Sequence, residues 1–476
     1  MAETDPRGPI RGWAPVRALG SAGAVLLAAV VGVGGVVGIA ALAGPTNSDS
    51  AADGGGSQAT PTVSLPANPA PPEVLAGLDA NAPTPTAAGI QQALAVPMSD
   101  PVLGTLAAQV IDPGSGITLL EQGAQTAMQP GSTMKLYTAA AAASVLEPGM
   151  RITTSVVRGT NPTEITIVAG GDPTLSSQPT STYNPGAATI AQLAEQLTAA
   201  GVTQVTKVTV DNSVFEGPAT AEGWGSGDAP STYAAPIYPV MVDGGRTDPA
   251  DDRSMRHGDP DLETARQLAA ALGSPGAVVE RGVADPTATQ VASVQSAPIE
   301  QLIEQMIVHS DNVLAECIGR LVARELGQPA TFQGAVAAVT STMTQLGVDL
   351  TGFAGYDASG LSQLNTTSAG SIGSLMSIVS SGQHPTLDVV DSALAVAGYS
   401  GTLSTRYEAG SATEGAGRVR GKTGTLTGVS SLAGTVLTSD GRILVFSFIS
   451  NGGGDTTAVR AALDEIAATL AACGCR

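Results

Sequence analysis

The 476-residue chain carries a formal net charge of -20, with 13% charged and 43% hydrophobic residues. That length allows two or three domains around an ordinary core. The negative charge disfavours nucleic acid and anionic membrane surfaces as electrostatic partners, which sets aside a polyanion-binding role.

Arg7, Arg11 and Arg17 precede an uncharged apolar stretch from Ala18 to Gly44, long enough at helical rise to cross a bilayer. Two fates fit it: a retained anchor with residues 1–17 as a cytoplasmic basic tail, or a signal peptide cut after Ala41-Leu42-Ala43. The stretch exceeds the roughly 7 to 15 residues of a signal core, so the anchor is expected. Residues 45–95, rich in Ala, Pro, Ser and Thr as in Thr60-Pro61-Thr62, read as a linker. The folded part is thus expected at the extracytoplasmic face of a bacterial membrane, or secreted if the segment is cut.

Leu106 to Asp112 and Ile117 to Leu120 read as strands joined at Gly114-Ser115-Gly116. Pro130-Gly131 then precedes Ser132, and Ala139 to Leu146 is an alanine-rich run that suits a buried helix. Ser132 therefore falls at a helix N-terminus, with Lys135 one turn on along the same side. Between 152 and 290 the texture changes to short strands such as Ile165 to Val168 and Val205 to Val210, with turns at Gly170-Gly171-Asp172-Pro173 and Asp243-Gly244-Gly245 and one helical pattern, Ile190 to Leu197. The separation of Ser132 from Ser310 is too great for a loop, so this stretch is expected to be an inserted domain.

Helical periodicity returns over Ile299 to Arg324, and Ser310-Asp311-Asn312 falls in or between these helices. Lys422-Thr423-Gly424 shortly precedes two strands, Leu432 to Leu437 and Ile443 to Ile449, joined by Ser439-Asp440-Gly441. A last amphipathic helix runs from about Thr457 to Leu470. The expected fold is α+β: an antiparallel sheet with packed terminal helices and a helical lobe, split by a β-rich inserted domain.

Ser132-x-x-Lys135, Ser310-Asp311-Asn312 and Lys422-Thr423-Gly424 together supply what acyl transfer without histidine needs. A serine hydroxyl is a poor nucleophile at neutral pH and requires a base. For Ser132 that base is Lys135, provided its pKa is lowered by the neighbouring cation Lys422 and by partial burial. Lys422 and Thr423 suit a substrate carboxylate, and Gly424 would let a substrate backbone approach the strand. The 3 histidines, His257, His309 and His384, are too scattered for a metal cluster, and no metal or cofactor is expected. His309 reads as local packing and Asp311 as structural, while Asp357 and Ser359 are candidates to line the cleft. Of the 3 cysteines, Cys317 could pair with Cys473 or Cys475 near the C-terminus, or all could be free thiols.

In this order the motifs resemble those of the penicillin-recognising serine peptidases. Within them, Gly170-Gly171-Asp172-Pro173-Thr174-Leu175, Val208 to Phe215, Asp357-Ala358-Ser359-Gly360-Leu361-Ser362 and Ala397 to Leu403 are similar to segments of the low-molecular-mass class C penicillin-binding proteins. The resemblance spans about residues 100 to 470 and implies a D-alanyl-D-alanine carboxypeptidase or endopeptidase that acts on peptidoglycan stem peptides and is acylated by β-lactam antibiotics. It implies a serine β-lactamase-like catalytic domain over 96–151 and 291–476 around the insertion at 152–290. By the same resemblance Ser310 relays a proton to the leaving group, Asn312 holds the acyl-donor peptide, and the backbone N–H groups of Ser132 and Thr425 form the oxyanion hole. The insertion is shorter than in better-known members, which leaves recognition of the substrate's far end open.

Two other readings compete. A β-lactamase would need a glutamate to activate the deacylating water, and Glu316, Glu325, Glu408 and Glu414 sit in no recognisable loop of that kind. A non-catalytic cell-wall-binding or β-lactam-sensing protein would keep the fold without turnover.

Overall fold

The computed structural model describes residues 82–476. The expected anchor or signal segment at 18–44, the basic tail and most of the linker lie outside the described residues. Among the described residues no helix is long and apolar enough to cross a membrane.

The described chain begins with α1 (Ala87–Leu94), capped by the Thr86 hydroxyl, and continues into the hairpin β1 (Thr105–Asp112) and β2 (Ile117–Gln122). Asp112 closes that turn by accepting the Ser115 hydroxyl at 2.6 Å. A 3-10 turn over Gly131–Met134 runs into α2 (Lys135–Val145), whose alanines pack with the helices that follow.

The insertion comprises β3 (Arg151–Arg158), β4 (Glu164–Val168), β5 (Asp172–Leu175), α3 (Ile190–Ala199), β6 (Lys207–Asp211), β7 (Val240–Val242), α4 (Pro260–Ala271), β8 (Val278–Arg281) and β9 (Gln290–Pro298). Five strands form one sheet in the order β8-β6-β4-β3-β9, with β4, β6 and β8 mutually parallel, while β5 and β7 pair separately. Leu193, Leu197, Ala265 and Leu268 from the two helices pack with Ile165, Ile167, Val208 and Val210. The β-rich unit thus holds seven strands and, beside the one helix expected, a second helix, α4. Helix α4 has a start signal, Pro260 at its first turn with Asp261 and Glu263, but its apolar side is narrow. Asp172-Pro173, expected as a turn, opens β5. Strand β9 pairs with β3 and forms one edge of the sheet, ending at Pro298.

After the insertion come α5 (Ile299–Val308), α6 (Asn312–Glu325), α7 (Phe332–Gln345), α8 (Ala369–Val379) and α9 (Asp388–Ser392). The chain ends through β10 (Ala395–Val396), β11 (Val419–Leu426), β12 (Val429–Leu437), β13 (Ile443–Asn451) and α10 (Thr456–Ala472). A six-stranded antiparallel sheet has the order β10-β11-β12-β13-β1-β2. Alternation along its strands divides the core into two layers. Ala107, Ile111, Val445 and Ile449 face the helical lobe with Leu136, Ile303 and Ile372. Leu106, Ala108, Phe446 and Phe448 face α1 and α10 with Leu94, Leu463 and Ile466.

Cys473 is bonded to Cys475, and Cys317 is a buried free thiol in α6. Pairing of Cys317 with the tail is thereby corrected: it is enclosed by Met241, Val313 and Phe332.

Arg442 makes a two-pronged ion pair with Asp112, Nε at 2.9 Å and Nη2 at 2.7 Å, tying the β12–β13 turn to β1. Burial raises the Asp112 carboxyl, but hydrogen bonds from Arg442 and Ser115 and the Arg442 charge outweigh it and hold it below its usual value of 3.8. Arg442→Met should lower the unfolding free energy by about 2–3 kcal/mol at neutral pH, measured by urea denaturation. The folded value is depressed, so this contribution is present above 3.8 and lost as pH falls through the folded value. A gap between wild type and variant that widens in acid would contradict the assignment.

Candidate active site

The turn that carries Ser132 is fixed through one carbonyl. Pro130 O accepts the Thr133 hydroxyl at 2.8 Å and the Ser431 hydroxyl of β12 at 2.7 Å. Gly131 follows with φ +54°, and a Cβ there would lie 2.9 Å from the Thr425 nitrogen of β11. A Cβ on Gly424 would lie 3.0 Å from the Ser132 nitrogen. The nucleophile turn and β11 thus touch backbone to backbone, which brings the N–H groups of Ser132 and Thr425 to one place.

Lys135 is fully buried at 0% exposure. Its ammonium donates to Ser132 Oγ at 3.0 Å, to Asn312 Oδ1 at 2.5 Å and to the Ser359 carbonyl at 2.7 Å. Burial lowers its pKa to about 8, against the carboxylates of Asp357, Glu316 and Asp311, which raise it. Of the two causes expected to lower Lys135, burial acts and the Lys422 charge does not contribute. The influence runs the other way, since Lys422 is pushed well below the usual lysine value by burial and then by Lys135.

Ser310 occupies the gap between α5 and α6 with φ +58°, a sparsely populated conformation for a residue with a side chain. Its Oγ accepts from Lys422 Nζ at 2.7 Å, and Lys422 also donates to the Thr423 carbonyl at 2.9 Å. Asp311 caps α6 by accepting the Leu314 N–H at 3.0 Å and is bridged at 3.0 Å by Arg246 of the insertion. Burial would raise its carboxyl, yet Arg246 and Arg256 hold it far below the usual range. Asn312 donates to the Tyr233 carbonyl at 3.2 Å, and His309 packs edge-on against Tyr183 at 5.6 Å.

Strand β10 pairs with β11 only at Gly421 and Arg420, which leaves the edge beyond Lys422 open. Thr423, Gly424 and Thr425 lie along that edge. The Thr423 hydroxyl donates to Thr402 Oγ1 at 2.9 Å, and Thr425 Oγ1 accepts from Arg460 Nη2 at 3.0 Å. All eight sequence-predicted residues, Ser132, Lys135, Ser310, Asn312, Lys422, Thr423, Gly424 and Thr425, thus converge on one cleft.

Asp357 and Ser359 do not line the cleft as expected; both side chains are buried. Asp357 accepts from the N–H groups of Gly360 at 2.8 Å and Ser362 at 2.6 Å and from the Trp224 indole at 2.8 Å, which shapes a loop. Ser359 contributes its carbonyl to Lys135. Beneath that loop Glu316, also fully buried, accepts the N–H of Ser359 at 2.8 Å and of Ala358 at 3.1 Å. Sequence reasoning weighed Glu316 only as a water activator, although an acid inside the apolar run Val313 to Ile318 signals a buried polar partner. Arg246, Tyr233 and Arg460 carry no local signal.

The arrangement provides a hydroxyl beside a desolvated amine, paired N–H groups and an open strand edge, which suits acyl transfer through a serine ester. The model of the D-Ala-D-Ala carboxypeptidase 3 (S13) family matches residues 90–264 and 249–472. Carboxypeptidase DacB of Mycolicibacterium smegmatis is 42% identical over 419 residues, 86% of this chain and 90% of the relative. A carboxypeptidase of Mycobacterium tuberculosis is 43% identical over 415 residues, 86% of this chain and 89% of the relative. The crystal structure of penicillin-binding protein 4 from Haemophilus influenzae matches with a TM-score of 0.66 at 19% identity, over 81% of this chain and 98% of that one, a likeness of fold.

Glu316→Ala would leave the buried Ala358 and Ser359 N–H groups without an acceptor. It should cost about 3 kcal/mol of stability, read from the urea midpoint. An unchanged midpoint would show that Glu316 does not anchor the loop.

Proposed function

Since the chain belongs to the D-Ala-D-Ala carboxypeptidase 3 (S13) family and is a serine-type D-Ala-D-Ala carboxypeptidase, we propose that it removes the terminal D-alanine of peptidoglycan stem peptides through an acyl-enzyme on Ser132. The observation that carries this reading is the fully buried amine of Lys135, 3.0 Å from Ser132 Oγ. Neutral Lys135 takes the Ser132 proton as Oγ attacks the carbonyl of the penultimate D-alanine. The oxyanion is met by the N–H groups of Ser132 and Thr425, already held together by the Gly131 and Gly424 contacts. Ser310, hydrogen-bonded to Lys422, gives its hydroxyl proton to the leaving nitrogen and takes up the one held by Lys135, which leaves Lys135 neutral for the attack of water. The Asn312 amide exchanges the Tyr233 carbonyl for the acyl donor's peptide oxygen. Water then resolves the ester.

Penicillin enters the same route and stays attached. Glu316 spends its carboxylate on two backbone N–H groups, and Glu325, Glu408 and Glu414 are exposed on the surface, so no glutamate of the stretch from α6 to β11 is poised to activate a deacylating water. The open edge of β11 also accommodates cross-linked peptides, which makes endopeptidase cleavage the second activity. The apolar stretch at 18–44 supports a location at the extracytoplasmic membrane face, with the Ala/Pro/Ser-rich residues that precede α1 as a stalk.

Incubation with a fluorescent penicillin should give a long-lived adduct on Ser132 by intact mass and peptide mapping, absent in Ser132→Ala. A well-folded protein that acquires no adduct would favour a non-catalytic wall-binding role.

Lys135 must be neutral to act as base, and burial lowers its pKa from 10.5 to about 8. The acylation rate should therefore rise with pH and level off above about 8, and Lys135→Arg should abolish it. A pH-independent rate across that range would exclude Lys135 as the base.

A further inference from the structure

The carboxylate of a terminal D-alanine needs a cation, and Lys422 is poorly placed to supply one. It is 1% exposed and is hydrogen-bonded to Ser310 and to the Thr423 carbonyl. Most other arginines near the site are committed: Arg246 to Asp252 and Asp311, and Arg406 to Asp464. Arg460 is different. It projects from the second turn of α10, is solvent-exposed, and has no carboxylate partner among the described residues. Its guanidinium reaches one group on the catalytic strand, the Thr425 hydroxyl at 3.0 Å, and that hydroxyl is itself half-buried at the open edge of β11.

The crowding around Arg460 points the same way. The charges of Arg406 and Arg253 lower its pKa after burial does, and only Asp464 and Tyr233 oppose them. In a chain of net charge -20, a group of arginines beside the edge where a substrate terminus lies is a local excess that an anion would relieve.

We propose that Arg460 is a specificity-determining residue, the charged half of the site for the substrate's C-terminal carboxylate, acting with the Thr423 and Thr425 hydroxyls. The proposal rests on the acyl-enzyme reading above and adds to it the preference for a free terminal acid. A planar guanidinium meets a carboxylate with two parallel N–H bonds, a geometry that an ammonium cannot match. A terminal carboxamide has no charge to offer and gains little from Arg460.

The test compares an N-acylated peptide ending in D-Ala-D-Ala with the same peptide as its C-terminal carboxamide, using the full-length protein. The wild type should prefer the acid. Arg460→Ala should raise KM for the acid about 30-fold, the scale of a lost hydrogen bond to a charged group, with kcat little changed. Its loss on the carboxamide should be far smaller than on the acid, so the acid preference collapses, and Arg460→Lys should restore part of it. A general structural defect would slow both peptides alike, leave their ratio intact and overturn the proposal. Wild-type failure to cleave either peptide would overturn the acyl-enzyme reading and the proposal with it, whereas wild-type cleavage with an unchanged acid-to-amide ratio in Arg460→Ala would overturn the proposal alone.

Discussion

An amine with no access to water must be given an acceptor for every proton it carries, and the active site is organised around meeting that demand at Lys135. Leaving a buried ammonium short of partners costs several kcal/mol. Its three acceptors come from separate parts of the chain: Ser132 on the turn before α2, Asn312 at the start of α6, and the Ser359 carbonyl in the loop before α8. The last of these is fixed by Glu316 below and Asp357 beside it. Burial leaves part of Lys135 unprotonated near neutrality, able to accept a proton, and at the same time compels the helical lobe to close over it. Reactivity and packing are here the same constraint.

The sheet supplies the other half. Strand β11 is paired on its β12 side over its whole length but is nearly free on its outer side. A free edge attracts other extended chains, and here Lys422, Thr423 and Thr425 mark it with polar groups. The absence of side chains at Gly131 and Gly424 lets the nucleophile turn sit directly on this strand. The sheet therefore positions the N–H groups of Ser132 and Thr425 through backbone contacts, which are less variable than rotamers.

The sequence made legible what is local. Strands β1, β2, β12 and β13, helices α3 and α10, and the helix start at Ser132 follow from period, turn residues and caps. The predicted residues meet in one cleft because two of the motifs sit at helix starts and the third, with Thr425, lies along the free edge of β11. Long-range partners stayed hidden. Nothing near Arg246 marks it as the counter-ion of Asp311, and Arg460 lies on a helix whose apolar period describes only its other side. Burial was foreseen as a source of the Lys135 shift, but Lys422 was wrongly counted beside it, because sequence distance between two lysines does not reveal the carboxylates around them. Helix α4 was overlooked because a solvated helix offers a narrow apolar stripe, and β5 because Asp-Pro in isolation reads as a turn.

The catalytic sheet joins the two ends of the described chain. Strand β1 is flanked by β2 and by β13, its register running from Thr105 opposite Asn451 to Ile111 opposite Val445. The pair of β1 with β13 therefore cannot form until nearly the whole polypeptide has been synthesised, and such late, non-local pairing is slow. A ribosome-bound or truncated chain would carry Ser132 and Lys135 without β11, and so without Thr425 to complete the oxyanion site. Hydrolytic competence thus arrives only with the last strands, a timing that keeps an unfinished chain inert.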